Sequence, residues 1–191
     1  MCIAIIIHKG SVVPSDIIFK RCFKKNPDGA GFAHCIKDKD GNDAVHYHKG
    51  FATIEDFLKA YHEEIIPDET HIVHFRKKSS GGMAMEFTHP FPITTNINEL
   101  HKLEGNSDVG VLFHNGTIKT LEKNHLLSDS QELAIMLAKK SILKKDEVGI
   151  SRVAVLFPNG KVSKLGTWIK EDFGTDLNPC FFSNDGYKTP I

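Results

Sequence analysis

A continuous apolar stretch near the start of the chain covers residues 3–7, with the sequence IAIII. It shows no polar alternation, which is typical of a strand buried on both faces. The stretch is too short to cross a membrane, no charged segment precedes it, and no small-residue cleavage site follows it. We therefore expect a central strand that begins directly after Cys2, a cytoplasmic location and no membrane partner.

Other short apolar runs predict further strands, several of them bounded by turn sequences such as Asn26-Pro27-Asp28-Gly29. These runs cover residues 32–36, 45–48, 72–75, 109–113, 153–157 and 161–164. The second and the last follow hairpin turns at 38–42 and 158–160. The runs at 72–75 and 109–113 lead directly into polar or glycine-containing loops, where functional sites are usually found.

Three segments predict helices. Residues 16–24 form the shortest, and Ser128 with Gln131 makes a capping-box pattern that predicts another over about 129–141. Thr53 is placed to cap the third, in which apolar residues recur at helical spacing. These residues are Ile54, Phe57, Leu58, Tyr61 and Ile65. Strands grouped at both ends of the chain around two central helices favour an α+β layered sandwich over an alternating parallel sheet.

The composition narrows the class of partner. The 191 residues suit one domain, 1–191, and 24 Lys plus Arg balance 24 Asp plus Glu. The balance argues against a nucleic-acid surface and favours a small-molecule partner. Four cysteines without a CxxC pair argue against a disulfide framework. The 11 histidines, including His46, His48, His71 and His74, have no specific metal-binding spacing, so we expect neither a metal nor another cofactor.

Cys2 is the first candidate for chemistry. Removal of Met1 before a small residue would give Cys2 a free α-amine, so that thiol and base share one residue. An α-amine titrates near pH ~8 and a cysteine thiol near ~8.5, so the amine can accept the thiol proton directly or through water. Taken alone, a cysteine at this position is better interpreted as a buried thiol that occurs there by chance.

Asn115 and Gly116 are candidates for an oxyanion hole. Attack on an amide carbonyl needs preorganised hydrogen-bond donors, each typically worth ~10²–10³ in rate. An asparagine amide and a glycine N–H directly after an apolar strand can supply them, and the missing Cβ leaves room for substrate. An isolated Asn-Gly pair is ordinarily just a hairpin turn.

Five motifs occur in the order seen in class II glutamine amidotransferases. They are Met1-Cys2-Ile3, His74-Phe75-Arg76 with Ser79-Ser80-Gly81, His89-Pro90-Phe91, His114-Asn115-Gly116-Thr117-Ile118 and Ser128-Asp129-Ser130-Gln131. The chain therefore resembles this family of N-terminal-nucleophile (Ntn) hydrolases from residue 1 to about 135, and the Asp28-Gly29-Ala30-Gly31 segment is similar to one found in several members. The resemblance implies a four-layer αββα sandwich.

The resemblance also implies roles for individual residues. Cys2 would be the nucleophile, with Asn115 and Gly116 as the oxyanion hole. Arg76 would bind the glutamine α-carboxylate and Asp129 the α-ammonium. Further substrate-binding positions are Ser79, Gly81 and His89.

Each binding role has a plainer alternative. Arg76 could be a surface charge beside Lys77 and Lys78, Asp129 could stabilise a helix N-terminus, and His89 could be a packed histidine. The loop after Arg76 also departs from the family, which often has tryptophan and then alanine after the arginine, and a histidine before the glycine.

Three functions follow. The first is a glutaminase that releases ammonia from glutamine for a synthetase on a separate chain. The second is an Ntn amidase acting on another γ-glutamyl or acyl amide, favoured by the lysines of the loop. The third is a catalytically inactive binding or regulatory module with the same fold.

Overall fold

The computed structural model describes residues 1–78, 84–118, 121, 127–141, 149–188 and 190. Within these ranges the chain forms two antiparallel β-sheets and four α-helices. The strands are β1 (Ile3–Ile7), β2 (Ala30–Lys37), β3 (Asp43–Phe51), β4 (His71–Phe75), β5 (Phe91–Pro92), β6 (Glu104–Ser107), β7 (Val111–Asn115), β8 (Arg152–Leu156), β9 (Val162–Leu165), β10 (Ile169–Glu171) and β11 (Cys180–Phe182). The helices are α1 (Asp16–Lys25), α2 (Ile54–Glu64), α3 (Ile97–His101) and α4 (Asp129–Ala138), and short 3₁₀ turns cover Met85–Phe87 and Gly186–Lys188.

The strand order in the larger sheet is β10-β11-β1-β4-β2-β3-β6, and in the smaller sheet it is β5-β7-β8-β9. All the strand pairs that build these two sheets are antiparallel. Strand β1 lies between β11 and β4, which confirms the prediction of a central strand that starts directly after Cys2.

The two faces of β1 contact different cores because side chains alternate along a strand. Ile3, Ile5 and Ile7 pack in a cluster with Phe19 of α1 and Phe57 of α2. Ile6 belongs to a second cluster. Burial on both faces explains why the run contains no polar residue.

The second cluster joins the two sheets. Ala33, Tyr47 and Ile72 come from the larger sheet, and Val111 and Phe113 come from the smaller one. The sheets therefore face each other across a shared apolar core.

A third cluster lies on the other face of the smaller sheet. Leu112 and Val153 of the strands pack there against Leu133 and Ala134 of α4. The fold is thus mixed α and β, with antiparallel sheets and helices packed against both of them. None of the described helices is long and apolar enough to cross a lipid bilayer.

The strongest local signals in the sequence correspond to observed elements. The side chain of Thr53 accepts the N–H of Asp56 at 3.1 Å, and the capping box of Ser128 and Gln131 is formed in both directions. Helix α4 ends at Ala138, before the predicted Ser141. Strand β7 runs to Asn115, so its bounds lie two residues beyond the predicted 109–113.

Five elements were not predicted, namely β5, β6, β10, β11 and α3. They are two to five residues long, and β6 has the sequence EGNS without an apolar residue. Such segments form because neighbouring strands supply hydrogen-bond partners, as β3 does for β6. Strands β10 and β11 join the larger sheet.

Candidate active site

Cys2 lies at the start of β1 and faces the space between the two sheets. Residues 2, 4 and 6 share one face of the strand, and Ile6 on that face packs in the core between the sheets. Met1 is 66% exposed, so its removal would not disturb this core. Cys2 itself is partly exposed.

The thiol of Cys2 is held by the backbone of Lys77. The N–H of Lys77 donates to Sγ at 3.3 Å, and the thiol lies 3.4 Å from the carbonyl oxygen of the same residue. Burial raises the pKa of the Cys2 thiol, while the Lys77 N–H, the positive N-terminus and Arg76 act in the opposite direction. The protonated thiol therefore dominates near neutral pH, and nucleophilic attack would need a base.

Arg76 lies opposite Cys2 on the neighbouring strand. Ile3 pairs with Phe75, and continuing this antiparallel register by one residue places Arg76 across from Cys2. The N–H of Arg76 donates to Gly29 O at 2.8 Å, and its carbonyl accepts the N–H of Asp28 at 3.0 Å. Arg76 is 6% exposed, so it is not a surface charge like the exposed Lys77 that follows it.

Asn115 approaches the same end of the molecule from the smaller sheet. It is the last residue of β7 and shares a face with Val111 and Phe113, which pack between the sheets. Its Nδ2 donates to Ser183 Oγ at 2.8 Å, and this oxygen also accepts the N–H of Ala4 at 2.9 Å. One hydroxyl therefore bridges Asn115 to β1, two residues from Cys2.

The hydrogen-bonding capacity of Asn115 is only partly used within the described residues. The Nδ2 group has a second hydrogen, and the buried Oδ1 makes no hydrogen bond with that part of the chain. An amide anchored on one side and open on the other suits an oxyanion-hole donor.

Position 116 requires a glycine because Ser151 lies against it. Its φ is +145°, and a Cβ at this position would lie 2.7 Å from Ser151 Cβ and 2.8 Å from Ser151 Cα. The sequence suggested that the missing Cβ leaves room for substrate, but that room is filled by Ser151. The backbone conformation at Gly116 is nevertheless one that L side chains rarely adopt.

Asp129 organises the turn that follows β7. Its Oδ2 accepts the N–H of Ile118 at 2.9 Å and its Oδ1 accepts the N–H of Ser130 at 2.8 Å, at the N-terminus of α4. His114 Nδ1 lies 2.9 Å from Ser130 Oγ and 3.8 Å from Asp129 Oδ2. The alternative role of stabilising a helix N-terminus is therefore present. Oδ1 also accepts the Ser130 hydroxyl at 3.4 Å, so Oδ2 is the oxygen that keeps a lone pair for another donor.

His89 lies in a buried cluster of three histidines. Its ring centroid is 4.3 Å from that of His74 and 6.4 Å from that of His114. Burial lowers the pKa of His74 to about 3 and that of His89 well below its ordinary value, so both rings are neutral. The carbonyl of His89 approaches Gly31 so closely that a Cβ there would clash, which explains the glycine. His89 is thus packed among these histidines, and its contact with substrate stays a prediction.

Two predicted substrate-binding residues, Ser79 and Gly81, lie outside the described residues. Lys78 is the last described residue before them, and its N–H donates to Asp28 Oδ2 at 2.8 Å in the turn at residues 26–29.

Ser183 and Asn184 are site residues that the sequence did not reveal. Ser183 bridges Asn115 and Ala4, and Asn184 Nδ2 donates to the carbonyl of Cys2 at 2.6 Å. Both directly follow the unpredicted strand β11. The local signal was two polar residues directly after the apolar Phe181-Phe182. This signal is informative only once Phe181-Phe182 is recognised as part of a strand.

A surface cleft of about 510 Å³ is lined by residues 149–152 and 164–167. It includes Ser151, which packs against Gly116. None of the predicted site residues lines this cleft, so it adds no residue to the arrangement around Cys2.

Comparison with models of known protein families gave no match, and comparison with curated proteins gave none.

Proposed function

We propose that this chain is an N-terminal-nucleophile amide hydrolase of the class II glutamine amidotransferase type, with glutamine as substrate. The observation that carries the proposal is the convergence of three residues at one end of the space between the sheets. Cys2 and Arg76 face each other across β1 and β4, and Ser183 ties Asn115 to the same end of β1.

The fold supports the proposal at a coarser level. Helices α1 and α2 pack on the outer face of the larger sheet, α4 packs on the outer face of the smaller one, and the sheets face each other. We interpret this arrangement as the four-layer αββα sandwich of Ntn hydrolases. The nucleophile of such a fold would lie at the start of a central strand, where Cys2 is.

The proposed reaction begins with removal of Met1. The α-amine of Cys2 then takes the thiol proton, and Sγ attacks the carbonyl carbon of the glutamine side-chain amide. The second hydrogen of Asn115 Nδ2 and the N–H of Gly116 stabilise the developing oxyanion. The ammonium form of the amine protonates the leaving nitrogen, ammonia departs, and water hydrolyses the glutamyl thioester to glutamate and the free thiol.

Arg76 and Asp129 would bind the two charged groups on the glutamine α-carbon. The planar guanidinium of Arg76 suits a bidentate pair with the α-carboxylate. Asp129 can accept the α-ammonium on the lone pair of Oδ2 that Ile118 leaves unused.

The ammonia would be passed to an acceptor held by a synthetase. The described residues after α4 supply β8 to β11 of the two sheets. We propose a separate synthetase subunit as the partner.

The test combines intact-mass spectrometry with a glutaminase assay on one sample. Protein that has lost Met1 should release glutamate and ammonia from glutamine, and protein that retains Met1 should be inactive. Cys35→Ser is the matched control because Cys35 is also a partly exposed free thiol. Processed protein that turns over neither glutamine nor another amide would refute the proposal.

A second substrate class is favoured by one observation. Lys77 and Lys78 are exposed directly after Arg76, and their charges suit a substrate with an additional acidic group. Parallel assays with glutamine, γ-glutamyl peptides and simple acyl amides distinguish a glutaminase from an amidase of this second substrate class. A higher kcat/KM for acidic γ-glutamyl compounds than for glutamine would assign the site to the second class.

A further inference from the structure

A second cluster of chemically active side chains lies at the opposite end of β4 from Cys2. His34 of β2 pairs directly with His71 of β4 on one side and with His46 of β3 on the other. The register that places Phe75 beside Ile3 places His71 beside Ile7, four residues further along the strand. This cluster is therefore roughly 13 Å from the Cys2 end of the sheet.

Three ligand atoms in this cluster converge. One imidazole nitrogen each from His34 and His46 and one carboxylate oxygen from Glu64, the last residue of α2, all lie within 4.8 Å of one another. Ligand atoms around a tetrahedral zinc ion are roughly 3.4 Å apart, given bonds of about 2.0–2.1 Å. Small side-chain movements would bring these three atoms to that spacing.

The hydrogen bond of His46 fixes which of its nitrogens faces the cluster. Its Nδ1 lies 2.8 Å from Asn106 Oδ1, and an amide oxygen only accepts, so Nδ1 carries the hydrogen. In the neutral ring, Nε2 then holds a lone pair. An outer partner that orients an imidazole in this way is typical of histidines that bind metals.

That lone pair faces negative charge. Glu64 Oε2 lies 3.2 Å and Glu104 Oε1 3.8 Å from His46 Nε2. Two carboxylates around an imidazole lone pair repel it unless a metal cation or a proton lies between them.

Two buried atoms at this place also lack hydrogen bonds within the described chain. They are Nδ1 of His34, which lies 3.6 Å from Glu69 Oε2, and Oε2 of Glu64. The other oxygen of Glu64 is held by His48 Nδ1 at 2.8 Å, which leaves Oε2 directed at the cluster. Buried polar atoms are costly to leave unpaired, and a bound cation would satisfy Oε2 of Glu64.

We propose that His34, His46 and Glu64 form a binding site for a divalent transition-metal cation of the zinc type. Two imidazoles and one carboxylate suit zinc better than calcium or magnesium, which prefer oxygen ligands. A water molecule or a nearby carboxylate completes four-coordination. The ion connects β2, β3 and the end of α2 and thereby stabilises the larger sheet at the end away from Cys2.

His71 takes no part in the site although it lies beside His34. Its Nε2 pairs with Tyr61 Oη at 2.7 Å and its Nδ1 with the carbonyl of Glu69 at 2.8 Å. Both nitrogens are therefore already used.

The experiment measures zinc and cobalt binding by tag-free, chelator-treated full-length protein. We expect one equivalent of zinc to bind and Co²⁺ to give the visible absorption of a tetrahedral site. Zinc at about 100-fold above its dissociation constant should raise Tm by roughly 5–10 °C. The same titrations with Cys2→Ser should be unchanged, which excludes a zinc ion bound at that thiol.

Two substitutions outside the buried core remove single ligands. His46→Ala and Glu64→Gln should each weaken zinc binding at least 10-fold and abolish the cobalt spectrum. His62→Ala is the matched control, because His62 lies on the same helix and pairs with Asp16 at 3.0 Å outside the cluster. Circular dichroism checks that each variant is folded.

Either of two results would overturn the site. One is wild-type protein that binds no stoichiometric zinc and shows no cobalt spectrum, in which case a proton on His46 neutralises the cluster. The other is wild-type zinc affinity in both folded ligand variants, which would mean that the ion binds elsewhere.

Discussion

The side-chain amide of Asn115 donates a hydrogen bond of 2.8 Å to the hydroxyl of Ser183. The same hydroxyl accepts the N–H of Ala4 at 2.9 Å, so one oxygen joins the end of β7 to β1. Ser183 is fully buried, and the Ser183 N–H donates to the Ala4 carbonyl at 2.9 Å. The distance between the proposed oxyanion donor and the strand that carries Cys2 is therefore set by a fixed backbone pair.

Replacing Ser183 with alanine should impair both stability and catalysis. Loss of the hydroxyl leaves the buried N–H of Ala4 without its acceptor and Asn115 without its anchor, for which we expect a loss of about 1–3 kcal/mol in unfolding free energy. We expect kcat for glutamine hydrolysis to fall about 10-fold or more, because the Asn115 donor is no longer preorganised. Urea unfolding and steady-state kinetics measure the two effects.

The exposed Ser163 on β9 is the control for this substitution. Ser163→Ala should retain wild-type stability and kcat. Unchanged kcat in folded Ser183→Ala would show that Ser183 does not position the amide for catalysis.

Replacing Gly116 with alanine should destabilise the protein by roughly 2–4 kcal/mol. The new Cβ would strain a backbone with φ of +145° and overlap Ser151, whose Cα would lie 2.8 Å away. Gly160→Ala is the matched control, because Gly160 has φ of +77° but no atom within 4 Å of the added Cβ. We expect about 1–2 kcal/mol there, from backbone strain alone. Equal losses in the two variants would contradict close packing at Gly116.

Replacing Arg76 with lysine should weaken substrate binding. A lysine keeps the charge but cannot form a bidentate pair with a carboxylate, so we expect kcat/KM for glutamine to fall roughly 10- to 100-fold, mainly through KM. Arg21→Lys on α1 is the control, because it makes the same chemical change away from the site and should leave the kinetics unchanged. Equal kinetics for both variants would remove Arg76 from the binding site.

Lys49 predicts a specific pH dependence of stability. Its Nζ is buried, donates to the carbonyls of Glu86 at 3.0 Å and Leu100 at 2.9 Å, and lies 4.1 Å from the Phe91 ring centroid. Burial lowers the pKa of Lys49 from 10.5 to about 7, with Glu86 acting in the opposite direction. Above about pH 7 the unfolded chain therefore binds a proton that the folded chain has released, so the free energy of unfolding rises with pH.

Lys49→Met isolates this contribution because other titrating groups are common to both proteins. Between pH about 7 and 9, the unfolding free energy of the wild type should rise relative to the variant by up to about 1.4 kcal/mol per pH unit. Urea titrations at several pH values provide the comparison. If the unfolding free energies of wild type and variant change with pH in parallel, Lys49 stays charged in the folded protein.

Local sequence signals were sufficient for the elements that carry their own pattern. The apolar run of β1, the apolar spacing of α2 and the capping box of α4 each contain enough information within a few residues. Strands β6 and β11 do not, because their partners β3 and β1 lie far away in the chain, and β10 pairs only with β11. Their positions depend on tertiary contacts that no local window contains.

The residues of the candidate site also differ in whether a local sequence signal reveals them. Cys2, Arg76 and Asn115 were recognisable because each stands in a short motif next to a strand. Ser183 was not, since its role arises from contacts with residues 68 and 179 positions away. The histidine cluster also escaped the sequence, because His34, His46 and Glu64 meet only after three separate elements come together.

The most direct test of the central claim is covalent labelling with a glutamine-like diazo-ketone. Protein that has lost Met1 should acquire one adduct, mapped by peptide mass spectrometry to Cys2, and lose its glutaminase activity in proportion. Cys35 should stay unmodified, and Cys2→Ala should acquire no adduct. Processed wild-type protein that remains unlabelled, or an adduct that persists in Cys2→Ala, would contradict the account.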